Sequence, residues 1–376
     1  MNFKVMTIVG TRPELIKLSR VIHELNENVE HVLVHTGQNY DKELNAIFFK
    51  ELEIKKPDYY LKAAGNTSIE TISQVLAKSE KVIIKEKPNA VLIYGDTNSC
   101  MAAITAKRHQ IPVFHMEAGN RSFDDRVPEE INRRIIDHIS DINLTLTEHA
   151  RRYLIKEGIK GETVIKTGSC MEEVLNFYMP KINSSNILNK LELKKDEYFL
   201  ISAHREENVD TEERLNSLLF SLNQICKKYK HPVIFSVHPR TRKRINGLKS
   251  IKLDKRIIFS KPFGFIDYMK LQMNAKCILS DSGTISEEGS LLNLPAIMLR
   301  QAHERPEGMD ESSVLMSDLN SNEILQSINL VLKHSAIRNR KLKPVSDYQG
   351  GYVSLKIIRL ILSYTSYIRR TVWRKY

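Results

Sequence analysis

FKVMTIVGTRPELIK, residues 3–17, decides the architecture. Residues 3–9 form an apolar run of strand length without alternation, the pattern of a strand buried on both faces. Gly10 frees the turn that follows, and Pro13 suits a first helical position. The spacing of apolar residues then predicts a helix over 13–27. A buried strand feeding a helix is half of a parallel βαβ unit.

The same unit recurs along the chain. EHVLVH (30–35), NAVLIYG (89–95), PVFHM (112–116), DINLTLT (141–147) and ETVIKTG (162–168) read as further strands, with helical segments at 68–86 and 98–109. Residues 177–197 break the rhythm with Pro180, a Ser-Ser-Asn cluster and charge, as a linker with a hinge near 180 would. Alternation restarts with YFLISAH (198–204), HPVIFSVH (231–238), RIIFSK (256–261), AKCILSD (275–281) and PAIML (295–299). The expected fold is α/β: two doubly wound Rossmann-like domains, 1–178 and 179–354, with a cleft between them. A chain of 376 residues is long enough to give each domain its own core.

Composition narrows the functional classes. No apolar run approaches the length of a membrane-spanning helix, and the N-terminus lacks the pattern of a signal peptide. Cys100, Cys170, Cys226 and Cys277 are far apart, which favours reduced thiols in a cytoplasmic protein over disulfides or a zinc site. The net charge of +12 is concentrated near the C-terminus, where ten basic residues between 338 and 375 face one acid, Asp347. That distribution argues against nucleic acid as a partner. A terminal helix packed on its own protein ranks above membrane contact through this basic tail.

Polar residues collect where the strands end, the edge at which open parallel sheets bind ligands. Arg12 and Lys17 surround the helix start after the first strand and make an anion site with its N–H groups. Asp96 in YGDTNS and Glu117 in HMEAGNR follow two strands of one sheet, and like charges brought together shift each other's pKa. In RVPEEINRR (126–134), a helix over 128–139 gives Ile131, Ile135 and Ile139 as the buried stripe. Glu130 then falls on the solvent side with Arg134, and Glu129 at the border is the candidate acid.

The second half adds His204 in SAHREENVD, beside Arg205, Glu206 and Glu207. His238 in SVHPRTR holds a similar position, with Arg240 and Arg242 nearby. SDSGTISEE (280–288) offers Ser282, Gly283 and Thr284 as a phosphate seat at a helix start, with Glu287 and Glu288 facing a ribose or the helix dipole. HERPEG contributes Arg305. Neither half carries a dinucleotide fingerprint, and no set of these residues has metal-ligand spacing.

GTRPELIK, YGDTNS, HMEAGNR, VPEEINRR, TGS, AHRE, SDSGTISEE and HERPEG, in this order, resemble the non-hydrolysing UDP-N-acetylglucosamine 2-epimerases over nearly the whole chain. The resemblance implies a glycosyltransferase-B-like fold, a UDP-sugar substrate, no cofactor or metal, a homodimer, and a last helix, 355–376, that packs back on the first domain. It also implies elimination of UDP across C1–C2 and re-addition with C2 inverted. Asp96, Glu117 and Glu129 would be the acid–base carboxylates and His204 the assistant of the leaving group. Arg12, Lys17, His238, Ser282, Gly283 and Arg305 would contact UDP or the sugar, and Glu288 the ribose.

GQNYDKE (37–43) and LRQAHERPE (299–307) depart from the family's usual GQHREM and LRDTTERPE stretches, and HMEAGNRSFDDRVPEEINRR (115–134), SAHREENVD (202–210), PFGFIDYMKLQM (262–273) and SYTSYIRRTVWRKY (363–376) are similar to a capsule and O-antigen branch. That branch comprises the UDP-N-acetyl-L-fucosamine synthases, which invert C2 of UDP-2-acetamido-2,6-dideoxy-β-L-talose. UDP-N-acetylglucosamine and its mannosamine epimer are the alternative pair. A glycosyltransferase or a nucleotide-sugar sensor would share the fold, so function rests on the site.

Overall fold

A computed structural model describes residues 3–38, 48–237, 239–248, 251–335 and 342–375. The chain divides into two compact units, residues 1–176 with 347–376, and residues 177–346. The fold class read from the sequence holds, since each unit is built on a parallel sheet flanked by helices.

In the first unit, β1 (Lys4–Val9), β2 (Glu30–His35), β3 (Tyr59–Tyr60), β4 (Ala90–Tyr94), β5 (Val113–Met116), β6 (Ile142–Thr145) and β7 (Val164–Lys166) lie in the order β3-β2-β1-β4-β5-β6-β7. Every pairing is parallel. Val5, Met6, Ile8 and Val9 are all buried, so consecutive residues of β1 serve both faces, as the unbroken apolar run requires. Strand order reverses between β1 and β4, so the loops after these two strands flank the topological switch point.

The second unit repeats the plan. β8 (Phe199–Ser202), β9 (Val233–Ser236), β10 (Ile257–Ser260), β11 (Cys277–Ser280), β12 (Ala296–Leu299) and β13 (Leu315–Ser317) lie in the order β10-β9-β8-β11-β12-β13, all parallel. The switch point falls between β8 and β11, which places the loops holding His204 and Ser282 side by side.

Three expectations need correction. Residues 177–197 are not an open linker: the helix Met171–Ser184 runs through Pro180, and Ile187–Lys190 adds a short turn of helix. Buried Tyr178 and Ile182 anchor that stretch, with the Tyr178 ring 5.8 Å from that of Phe265. β3 and β13, two and three residues long, are too short to show periodicity and were not anticipated.

The return to the first unit begins at Asp347, ahead of 355. Its carboxylate accepts from Lys166 Nζ at 2.7 Å and from the Glu148 N–H at 2.8 Å. Ser354 then donates through its N–H and hydroxyl to Glu173, at 2.9 and 2.5 Å. Gly168, at φ +84°, meets Gly350 so closely that a Cβ would lie 2.6 Å from its Cα. The helix Val353–Val372 finally packs along Arg12–Asn28 by burying Ile357, Ile361 and Ile368.

Candidate active site

In the first unit the loops after β1, β4 and β5 bring their polar residues together around buried partners. Asp96 follows Gly95, which takes φ +68° to turn the chain out of β4. The Asp96 carboxylate accepts from Arg133 Nε at 2.7 Å, and its carbonyl accepts from Asn132 Nδ2 at 2.8 Å. Burial raises Asp96 above its ordinary carboxylate range. Arg133 opposes that rise, while the Glu117 and Glu129 charges add to it. The charges of both glutamates therefore act on Asp96.

Glu117 sits at φ +65°, a left-handed conformation that costs a side-chain-bearing residue on the order of 1 kcal/mol. The bend aims the carboxylate at Lys17 Nζ, 3.3 Å from Oε1, while Asn120 Nδ2 donates to the same oxygen at 3.3 Å. Lys17 is almost wholly buried, and its ammonium lies 5.5 Å from the centre of the Tyr94 ring. Arg12 opens the helix after β1, its guanidinium 5.6 Å from the Phe48 ring.

The helix Pro128–Ile139 forms as expected and Ile139 packs against the core, but the rest of the expected stripe does not. Ile131 and Ile135 are 53% and 37% exposed, whereas Glu130, Asn132, Arg133 and Asp137 are buried. The cause is pairing. Glu130 accepts from Arg133 Nη1 at 2.7 Å and from the Ser122 N–H and hydroxyl, both at 3.0 Å. Burial would raise the Glu130 carboxyl, but these partners hold it below its ordinary value. Glu130 is thus a buried strut for Arg133, while Glu129 stands half-buried at the helix start.

Sequence reading missed a second layer beneath these groups. His115 reaches Asp137 Oδ1 through Nδ1 and the Gly95 carbonyl through Nε2, both at 2.9 Å, so it braces the turn that presents Asp96. Burial works against the Asp137 charge, yet His115 and Arg121 keep its carboxyl below the usual range. Glu14 accepts from the Gly10 N–H and the Thr97 hydroxyl, each at 2.6 Å, which ties the β1 loop to the β4 loop. Burial pushes its carboxyl up to about 7. The signal available in sequence was only their adjacency to the strand-end motifs.

In the second unit His204 is more than half exposed, and its Nδ1 lies 3.1 Å from Asp281 Oδ1. Asp281 is completely buried and also accepts from the His204 and Arg205 N–H groups at 2.9 Å and from Asn208 Nδ2 at 3.1 Å. Burial alone would raise its carboxyl; the His204 charge and these donors bring it down to about 2. One ring nitrogen thus faces the buried Asp281 carboxylate while the rest of the ring stands open, a placing suited to a proton donor.

Ser282 and Gly283 precede the helix Thr284–Leu292, where backbone N–H groups favour anions. A Cβ at Gly283 would meet Glu304 Oε1 at 2.5 Å, so a side chain there would have to displace the Glu304 carboxylate. Glu304 is itself gripped by Arg300 Nη1, and Arg300 Nε donates to the Asp281 carbonyl at 2.7 Å. Arg305 and Glu288, expected to touch ligand, are both buried. Arg305 Nη2 pairs with Glu287 at 3.0 Å, and Glu288 accepts from Gln272 Nε2 at 2.8 Å. His238 lies outside the described residues.

Comparison with known proteins agrees with this architecture. The family described as UDP-N-acetylglucosamine 2-epimerase matches residues 23–362. The solved structure of UDP-N-acetylglucosamine 2-epimerase from Rickettsia bellii is 56% identical, covers both chains completely and superposes with a TM-score of 0.95. The enzyme from Methanocaldococcus jannaschii, solved in complex with UDP-GlcNAc and UDP, is 36% identical, with a TM-score of 0.87 over 96% of this chain and 100% of that one. UDP-2,3-diacetamido-2,3-dideoxy-D-glucuronate 2-epimerase of Pseudomonas aeruginosa is 37% identical over 80% of this chain and 84% of its own. With its two parallel-sheet, glycosyltransferase-B-like domains, the chain belongs to the UDP-N-acetylglucosamine 2-epimerase family and is an isomerase of UDP-sugars.

Proposed function

We propose that the chain inverts C2 of a UDP-2-acetamido sugar, converting UDP-2-acetamido-2,6-dideoxy-β-L-talose to UDP-N-acetyl-L-fucosamine. The observation that carries the chemistry is the placing of acids at the strand ends: Asp96 is held by Arg133 at 2.7 Å, Glu117 lies 3.3 Å from Lys17, and Glu129 stands at the start of the helix that carries Arg133. Abstracting a proton from a carbon with no adjacent carbonyl calls for such a set of groups, one to accept the C2 proton and one to return it on the opposite face. As the proton leaves, the C1–C2 double bond forms and the C1–O bond to UDP breaks. Lys17, half of a buried pair with Glu117, is suited to hold the sugar side of the site.

The departing diphosphate gathers negative charge, and the Ser282–Gly283 loop with the oriented imidazole of His204 suits it. Re-addition of UDP to the glycal, with protonation at C2, completes the cycle. The branch-specific stretches quoted above favour the 6-deoxy sugar. The names of the relatives favour UDP-N-acetylglucosamine as the second reading.

Each nucleotide sugar is incubated with the protein in deuterium oxide, and C2 is followed by NMR. Inversion and deuterium at C2 of the L-talo compound are expected. Turnover of the glucosamine compound alone would replace the assigned sugar. Glu117→Gln should retain UDP binding and lose roughly 100- to 10,000-fold in turnover.

A further inference from the structure

We propose that the first unit carries, away from its catalytic loops, a docking groove for an anionic phospholipid surface. The groove has a volume of about 910 Å³ and lies where β4 and β5 begin, at the edge of the sheet opposite the loops that hold Asp96 and Glu117. Ile83, Ile84, Pro88 and Ile111 give it an apolar floor. Lys87, Arg369, Arg370 and Lys375 give it a cationic wall.

Among the described residues, no carboxylate lies within ion-pair distance of any of these four cations. The acids around the groove are already paired: Glu80 with His109 at 2.9 Å, Glu86 with Lys4 at 2.9 Å and Asp141 with Lys107 at 2.5 Å. A bland explanation is that the cations only balance helix dipoles, because Ser68–Glu86, Ala102–Arg108 and Val353–Val372 all end here. Each helix end carries roughly half a negative charge, and that effect fades within a turn. Four full positive charges exceed it, so the groove keeps a net positive field.

The terminal helix thus has two jobs. Ile357, Ile361 and Ile368 face its own protein, and Arg369 and Arg370 on the adjoining face line the groove. Ile84 and Val372, each 53% exposed, flank the cations with apolar side chains able to enter the headgroup region. Among the described residues no helix is long and apolar enough to cross a membrane, so attachment is to the surface. Phosphodiester headgroups supply the charge, and acyl chains supply the apolar partner.

The test uses the full-length protein and flotation on vesicles. Partition onto equal parts phosphatidylglycerol and phosphatidylcholine, and not onto phosphatidylcholine alone, is the expected result. Removing one charge by Lys87→Gln should weaken it roughly fivefold, and Arg370→Gln with Lys375→Gln roughly 30-fold. Lys227→Gln with Lys228→Gln, on the second unit, should leave partition unchanged, and all these variants should keep full epimerase turnover.

No partition onto phosphatidylglycerol, or an equal loss in the second-unit control, would overturn the proposal. So would saturable binding of inorganic phosphate without vesicles that the groove substitutions abolish, which would mark a soluble ligand. Binding of duplex DNA as tight as that of vesicles, and lost in the same variants, would replace lipid by nucleic acid.

Discussion

Arg133 Nε stands 2.7 Å from Asp96 Oδ2, and the other arm of the same guanidinium is locked to Glu130. One cation therefore sets both the position and the charge of an acid presented from a neighbouring loop. Arg133→Met is expected to leave Glu130 charged, buried and short of its main partner. Breaking such a pair destabilises by roughly 3 to 5 kcal/mol. Denaturant unfolding of the first unit measures it, and a loss below about 1 kcal/mol would show that Ser122 and Arg134 suffice for Glu130.

Glu14 makes stability fall as pH rises. Its carboxyl in the folded protein is held up at about 7, against an ordinary 4.5, by burial. The folded state thus keeps a proton that the unfolded chain has already lost. Between about pH 4.5 and pH 7 this group removes up to about 3 kcal/mol as pH increases. Glu14→Gln should flatten that dependence, so the variant's stability relative to wild type should improve from about pH 5 to about pH 8. Parallel urea titrations at both values check the slope.

Asp281 acts in the opposite sense. Its carboxyl is brought down to about 2 from an ordinary 3.8, so its contribution is present above about pH 4 and disappears as pH falls towards 2. The contribution is about 2 kcal/mol. Asp281→Asn should remove this acid sensitivity and free the His204 ring. Turnover should then drop through kcat with KM nearly unchanged, by less than the roughly 100-fold expected for His204→Ala. A KM effect alone would assign Asp281 to loop structure.

Gly168→Ala combines two penalties. The residue would keep φ +84°, and its Cβ would lie 2.6 Å from the Gly350 Cα. The backbone conformation alone costs on the order of 1 to 2 kcal/mol. A loss of more than about 2 kcal/mol is therefore expected by thermal or chemical unfolding. Gly158→Ala, also at positive φ but with open space around its Cβ, should show only the conformational part.

The sheets were legible because their strands are buried on both faces, so β1, β2, β4 and β5 announce themselves as unbroken apolar runs. The strand ends were legible for the same reason, and with them Asp96, Glu117 and His204. The facing of the Pro128–Ile139 helix was not, because periodicity assumes that apolar residues face inward. There Arg133 and Asp137 are buried against Asp96, His115 and Arg121, partners remote in sequence, and Ile131 and Ile135 are left outside. Glu14 and Asp281 escaped notice for a related reason. In one dimension an acid after a strand looks like any helix-start acid, and only burial distinguishes it.

The seam at Asp347, where the last thirty residues rejoin the unit that began the chain, carries a consequence for synthesis. The lobe that emerges first from the ribosome is completed last, after the other lobe has been made. Truncation that removes residues 347–376 would therefore damage the lobe to which residues 1–176 belong.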